Sequence, residues 1–385
     1  MDLPQGPVSG AAAPTIPVAE LTRGGAAAAP ATVALIAANA VVFALLLWHG
    51  AGLWHAPTEV QLAWGANFGP ATQDGGWWRL ASAMFMHFGL LHLALNGWAL
   101  WDVGRIVERL LGPWRLAAAY LGSGLAGNLL SLVIQGNDAV SAGASGAIFG
   151  LYGVLLVVLA RERSRFDARD FRWLFGAAAL FAAVALGLGY FVRGIDNAAH
   201  GGGLVAGALL GLLLRPPLGE RPVPRRERAL AGAALAAAVA ALVIELPAPR
   251  YRYGEELAAR EAIRAFAAEE RALGERWREI LQEAEGESFD ALAGRIDEGI
   301  ADEYADSFEQ LSALRLDPGA PSAAALERLR RYAQRRSEAS HALAEALRRG
   351  DEAAAQKAVQ ALRDAAQATR AAPDVENGAA RSSSP

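Results

Sequence analysis

Polar side chains are costly inside an apolar span, so each one there needs a partner or a function. In this 385-residue chain they gather in three otherwise apolar stretches. These are Met86-His87-Phe-Gly-Leu-Leu-His92-Leu-Ala-Leu-Asn96, Ser141-Ala-Gly143-Ala-Ser145-Gly146-Ala-Ile-Phe149-Gly150 and Asp196-Asn197-Ala-Ala-His200-Gly-Gly-Gly203. A serine hydroxyl becomes a nucleophile when a base stands within hydrogen-bond reach, and His200 is the base available to Ser145. Acyl transfer also needs donors aimed at the developing oxyanion. His92, the side-chain amide of Asn96 and the backbone N–H of Ser145 at a helix start have that character. His92 and Asn96 share a helix face one turn apart. Phe149, one turn below Ser145, is placed to stack on the imidazole. Taken singly each residue has a plainer reading: a serine among glycines packs helices, a lone histidine sits at an interface, and His92 with Asn96 makes an interhelical hydrogen bond. Only the combination points to nucleophilic catalysis.

The elements that must position these groups are membrane spans. The chain is 53% hydrophobic and 20% charged, with a positive mean hydropathy, which is too apolar for one ordinary soluble domain. A span needs about 20 mostly apolar residues. Segments near 32–53, 84–104, 115–135, 144–160, 173–192, 199–214 and 229–246 meet or approach that length. Arginines crowd the connections after the second, fourth and sixth segments (Arg105, Arg109 and Arg115; Arg161 to Arg172; Arg215 to Arg228) and are sparse in the alternate ones. Because basic loops stay cytoplasmic, the N-terminus is expected inside and the region beyond the seventh span outside. Ser145, His200, His92 and Asn96 then share a depth toward the outer face. Gly146 and Gly150 on one span, with Gly203, Gly207 and Gly211 on another, form small-residue faces that let two backbones meet and bring Ser145 to His200.

Residues 1–30 read as a disordered leader, 31–215 as the membrane core, 229–246 as a seventh span, 250–374 as an extracytoplasmic domain of three or four amphipathic helices broken near 316–322, and 375–385 as a disordered tail. There is no cysteine, so disulfides, thiolate metal sites and a cysteine nucleophile are excluded. The net charge of −4 singles out no partner, and nucleic acid is not suggested. No metal or other cofactor is implied. A site built from His87, His92 and His200 lacks the carboxylate or the His-Glu-x-x-His spacing of a zinc centre. A transporter reading fails to account for the outward clustering of the polar groups. Of the 36 Lys and Arg residues only Lys357 is lysine, which together with abundant alanine hints at a GC-rich, bacterial genome.

Taken together, His-x-x-x-Asn, Gly-x-Ser-Gly and Ala-His with Gly-x-x-x-Gly resemble the rhomboid intramembrane serine proteases over residues 30–215. Trp78-Arg79, His87, Glu108 and Asn197 match as well. The resemblance implies an all-α membrane protein with a six-helix rhomboid-like bundle, to which this chain adds a seventh transmembrane helix and a C-terminal soluble helical domain. It also implies a Ser145–His200 dyad without an acidic third member, an oxyanion hole of His92, Asn96 and the Ser145 N–H, and support from Gly143, Gly146, Phe149, Asn197, Gly203 and Gly207. The expected partners are the bilayer and single-span membrane proteins, cut within their transmembrane segments in the cell membrane. Trp78-Arg79 would lie in a loop partly within lipid, and Tyr190 to Asn197 in the lid and lateral gate. Phe149 departs from the tyrosine often found there, and Ala147 rules out the Gly-x-Ser-x-Gly elbow of soluble hydrolases. The alternative is a non-catalytic relative that binds membrane clients, although such relatives typically lack the serine or the histidine.

Overall fold

In lipid every backbone N–H and C=O must be satisfied within the chain, and apolar runs achieve this as helices. The computed structural model describes residues 15–23, 25–216 and 223–370, which are helical throughout apart from turns and one isolated bridge between Asn67 and Ser141. Two compact units emerge, Met1–Ala248 and Pro249–Ser384.

The first unit contains α1 (Val18–Thr22), α2 (Pro30–Trp48), α3 (Thr58–Trp64), α4 (Gly69–Gln73), α5 (Arg79–Ser82), α6 (Leu90–Leu111), α7 (Pro113–Gln135), α8 (Ser145–Arg161), α9 (Ala168–Leu188), α10 (Asn197–Leu214) and α11 (Arg225–Ile244). Each of the seven expected spans falls on a helix. Five of them, α2, α7, α9, α10 and α11, are long and apolar enough to cross a membrane, and a sixth counts if the bent pair Arg79–Phe85 and α6 is one span. The remaining one, α8, is shorter at 17 residues. Exposed large apolar side chains on α2, α9 and α11, among them Val41, Leu180, Val184, Val243 and Ile244, leave apolar faces of the kind that lipid covers. The chain is a multi-pass membrane protein.

Three boundaries differ from the sequence reading. The leader is ordered in part, because α1 buries Val18 and Leu21 and the Ile16 N–H donates to the Arg165 carbonyl at 2.7 Å. Residues 1–14 and the expected tail 375–385 lie outside the described residues. The second span starts at Leu90 instead of residue 84, with a 92° bend before it. Partners from the preceding loop hold the bend open: Gln61 Nε2 donates to the His87 carbonyl, and the Ala56 N–H to that of Phe88. The basic connection after it shrinks to Gly112, since Arg105 and Arg109 continue α6 and Arg115 belongs to α7.

The core of this unit lies where α10 meets α7 and α8, with α6 and α9 packed against α8. At the Arg-rich end, Arg215 pairs with Glu162 and with Glu227, and Glu227 also takes Arg161, so α11 is tied to the ends of α8 and α10. Buried Glu108 on α6 accepts from the N–H groups of Ala31 and Thr32 at 2.9 and 2.8 Å and from Thr32 Oγ1 at 2.7 Å. It thereby serves the unpaired donors that open α2.

The second unit contains α12 (Tyr253–Glu283), α13 (Phe289–Ile296), a π-helical stretch Asp297–Ala301, α14 (Asp302–Ala313), α15 (Ala323–Arg349) and α16 (Glu352–Arg370). Ala259, Phe266, Leu273, Ile280, Ile300 and Leu326 contribute to its own apolar core. Inside it, Glu270 accepts from the hydroxyls of Tyr304 (2.7 Å) and Tyr332, whose phenol burial pushes up to about 12. Fully buried Glu256 accepts from the backbone and side chain of Ser322, closing the start of α15 onto α12.

Candidate active site

Ser145 opens α8 and His200 lies in the first turn of α10. What allows these helices to approach is the absence of side chains along their seam. A Cβ on Gly203 would stand 1.9 Å from the Gly146 carbonyl oxygen, and one on Gly207 would stand 2.0 Å from that of Gly150. Any side chain there would force the backbones apart. Across this seam His200 Nε2 lies 2.7 Å from Ser145 Oγ. His200 is buried and Ser145 half-buried. Phe149 stacks on the imidazole with ring centroids 4.3 Å apart and planes 15° apart. His200 Nδ1 is buried and meets no protein acceptor. In the tautomer protonated at Nδ1, Nε2 would present its lone pair to the serine, the arrangement a base needs toward a hydroxyl.

As the first residue of α8, Ser145 has a backbone N–H without an intrahelical acceptor. Gly143 stands just before it at φ +139°, and a Cβ there would come within 2.9 Å of His92 Cε1, so the His92 ring faces the backbone beside Ser145. His92 is held by Phe88, stacked at 6.1 Å, and by His87, edge-on at 5.0 Å. Asn96 is buried, and its Nδ2 donates to the His92 carbonyl at 2.9 Å. The second hydrogen of that amide is left for another acceptor. Asn197 reaches back from α10 to donate to the Leu186 carbonyl of α9 at 3.2 Å. Arg79 is buried and its Nη1 donates to the carbonyls of Leu62 (2.6 Å) and Ala66 (3.3 Å), whereas Trp78 is exposed. Tyr190 and Phe191, in the segment before α10, are exposed.

Sequence reasoning saw Asp196 but missed the partners through which it closes this arrangement. The Asp196 carboxylate accepts from Ser131 and Gln135 of α7, from Ser141 ahead of α8 and from the Ala199 N–H. A signal existed in Ser131 and Gln135, two polar residues one turn apart in an apolar span and in need of a partner. No group of three or more His, Cys, Asp or Glu able to hold a metal occurs among the described residues.

A serine on one apolar helix in contact with a histidine on the next but one defines the site of this multi-pass helical membrane protein. The Rhomboid domain profile matches residues 74–217. The rhomboid protease GluP of Bacillus subtilis is 38% identical over 194 residues, 49% of this chain and 36% of that protein. YdcA of the same organism is 32% identical over 186 residues, 48% of this chain and 88% of that protein. The RHOMBOID-like protein 5 of Arabidopsis thaliana is 38% identical over 150 residues, 38% of this chain and 48% of that protein. The chain belongs to the rhomboid family. It spans about a third of the length of GluP and about half that of the Arabidopsis protein.

Proposed function

We propose that this chain is an intramembrane serine endopeptidase that cuts transmembrane segments of other membrane proteins, with Ser145 as nucleophile and His200 as general base. The observation that carries the reading is the 2.7 Å contact between Ser145 Oγ and His200 Nε2. Ser145 Oγ attacks the scissile carbonyl carbon while His200 Nε2 takes its proton. The tetrahedral oxyanion is received by the Ser145 N–H, His92 and the free hydrogen of the Asn96 amide. Collapse breaks the C–N bond, and imidazolium returns the proton to the leaving amine. Water, deprotonated by His200, then hydrolyses the acyl ester to a carboxylate and frees Ser145. A positioned base supplies about 10²–10⁴ in rate. Phe149 keeps the imidazole plane fixed as it gains and loses charge.

The substrates on this reading are single-span proteins whose helices fray near small residues, since an intact helix hides its peptide bonds. The protein resides in a bacterial cell membrane with seven spans, its N-terminus cytoplasmic and the second unit extracytoplasmic. The discriminating experiment is covalent labelling of the detergent-solubilised chain by a fluorophosphonate. Attack by an activated Ser145 expels fluoride and leaves a phosphonyl ester. Ser145→Ala and His200→Ala are expected to lose both labelling and cleavage. Full cleavage by Ser145→Ala would overturn the reading in favour of a client-binding protein.

A further inference from the structure

The Asp196 carboxylate touches all three structural pieces that meet at the site. Oδ1 accepts from Gln135 Nε2 at 2.6 Å and from the Ala199 N–H at 2.9 Å. Oδ2 accepts from Ser131 Oγ at 2.6 Å and from Ser141 Oγ at 2.5 Å. Each oxygen therefore joins α7 to something else: Oδ1 joins it to the first turn of α10, and Oδ2 joins it to the segment leading into α8. The main chain of the same residue closes that turn, because the His200 N–H donates to the Asp196 carbonyl at 3.0 Å.

Both ends of the reactive contact hang from this point. His200 is the residue whose amide the Asp196 carbonyl receives. Ser141 is four residues before Ser145, and its main chain is fixed on the other side by two hydrogen bonds with Asn67, of 2.9 and 2.8 Å. Gly143, between them, donates to the Ala83 carbonyl at 2.8 Å. The strand-like segment 141–143 is thus clamped to the preceding loop by its backbone and to α10 by one side chain. The carboxylate does not reach the imidazole, whose Nδ1 meets no protein acceptor, so Asp196 is not the acid of a triad.

We infer that Asp196 is a positioning residue for the Ser145–His200 reaction: its carboxylate ties the start of α10 to α7 and to the segment before Ser145, and so sets the distance between base and nucleophile. The inference rests on the serine endopeptidase reading. Its working part is the pattern of four accepted hydrogen bonds. Asparagine can keep that pattern, since its oxygen still serves Gln135 and Ala199 while its amide donates to serine hydroxyls that turn to accept. Alanine abolishes it.

The test is the rate of fluorophosphonate labelling of the full chain in detergent, resolved into the limiting inactivation rate and the probe concentration at half that rate. Small misplacements of reacting groups cost up to about 100-fold. Asp196→Ala is expected to lower the limiting rate about 10- to 100-fold with little change in the half-saturating concentration. Asp196→Asn should remain within about threefold of the native chain. A purely stabilising role would lower the melting temperature and leave the limiting rate of the folded fraction unchanged. That result with Asp196→Ala overturns the inference, as does an Asp196→Asn variant as slow as Asp196→Ala. If Asp196→Ala does not fold, Ser141→Ala decides: a lowered limiting rate supports the tether and a native one overturns it. Absence of labelling in the native chain would instead sink the endopeptidase reading itself.

Discussion

At the scale of residues, Phe149 and Asn96 make separable contributions to the proposed chemistry. Phe149 stacks on the ring of the base and also meets the Phe181 ring at 6.5 Å, and an aromatic pair of the first kind contributes about 0.5–1.5 kcal/mol beyond its burial. Phe149→Ala should therefore slow labelling about two- to tenfold, and Phe149→Tyr, which keeps the ring, should not. On the proposed mechanism Asn96 acts only once an oxyanion exists. Asn96→Ala is expected to reduce substrate turnover by up to ~2.7–4 kcal/mol and to affect the half-saturating substrate concentration little. A Michaelis constant that rises while kcat holds would mean Asn96 binds substrate instead. These side chains were legible in the sequence because a histidine, an asparagine and a serine are conspicuous against leucine and alanine. Asp196 was visible too, but its job was not. Its three side-chain donors lie 65, 61 and 55 positions away, and no local spacing connects them to it.

At the scale of elements, the seam between α8 and α10 rests on hydrogen in place of side chains. Gly203→Ala must push its new methyl against a backbone oxygen that has no rotamer to escape into. Thermal unfolding in detergent should show a loss of about 1–3 kcal/mol, the usual cost of overpacking. Gly201→Ala, two residues away on α10 with nothing within 4 Å of its new Cβ, should be neutral or stabilising, since alanine is the better helix former. Equal melting temperatures for the two variants would refute the close seam. The glycine spacing made this contact readable in advance. The bend before α6 was not readable, because residues 84–104 look like one apolar run. What breaks it is a set of hydrogen bonds from Ala56 and Gln61, in a loop whose short helices α3, α4 and α5 had no periodic signature of their own.

At the scale of the whole molecule, the two units are expected to be separable. The second has a continuous core of its own, with Glu256 and Glu270 partnered inside it. Expressed alone, residues 249–370 should give a helical circular dichroism spectrum and a cooperative melt, and an unfolded product would show that the core is incomplete. The arginine asymmetry predicts that a reporter fused after residue 260 reads as extracytoplasmic, and a cytoplasmic signal would invert the topology or change the span count. The short helix α1 was hidden in a leader rich in alanine, glycine and proline. Glu108 gives the chain a temporal dimension as well. The donors that open α2 wait for a carboxylate 76 residues further along, so a nascent chain holds α2 with that turn unfinished until α6 has been synthesised. A chain arrested in between would lack the acceptor for those amides, and water would have to serve them instead.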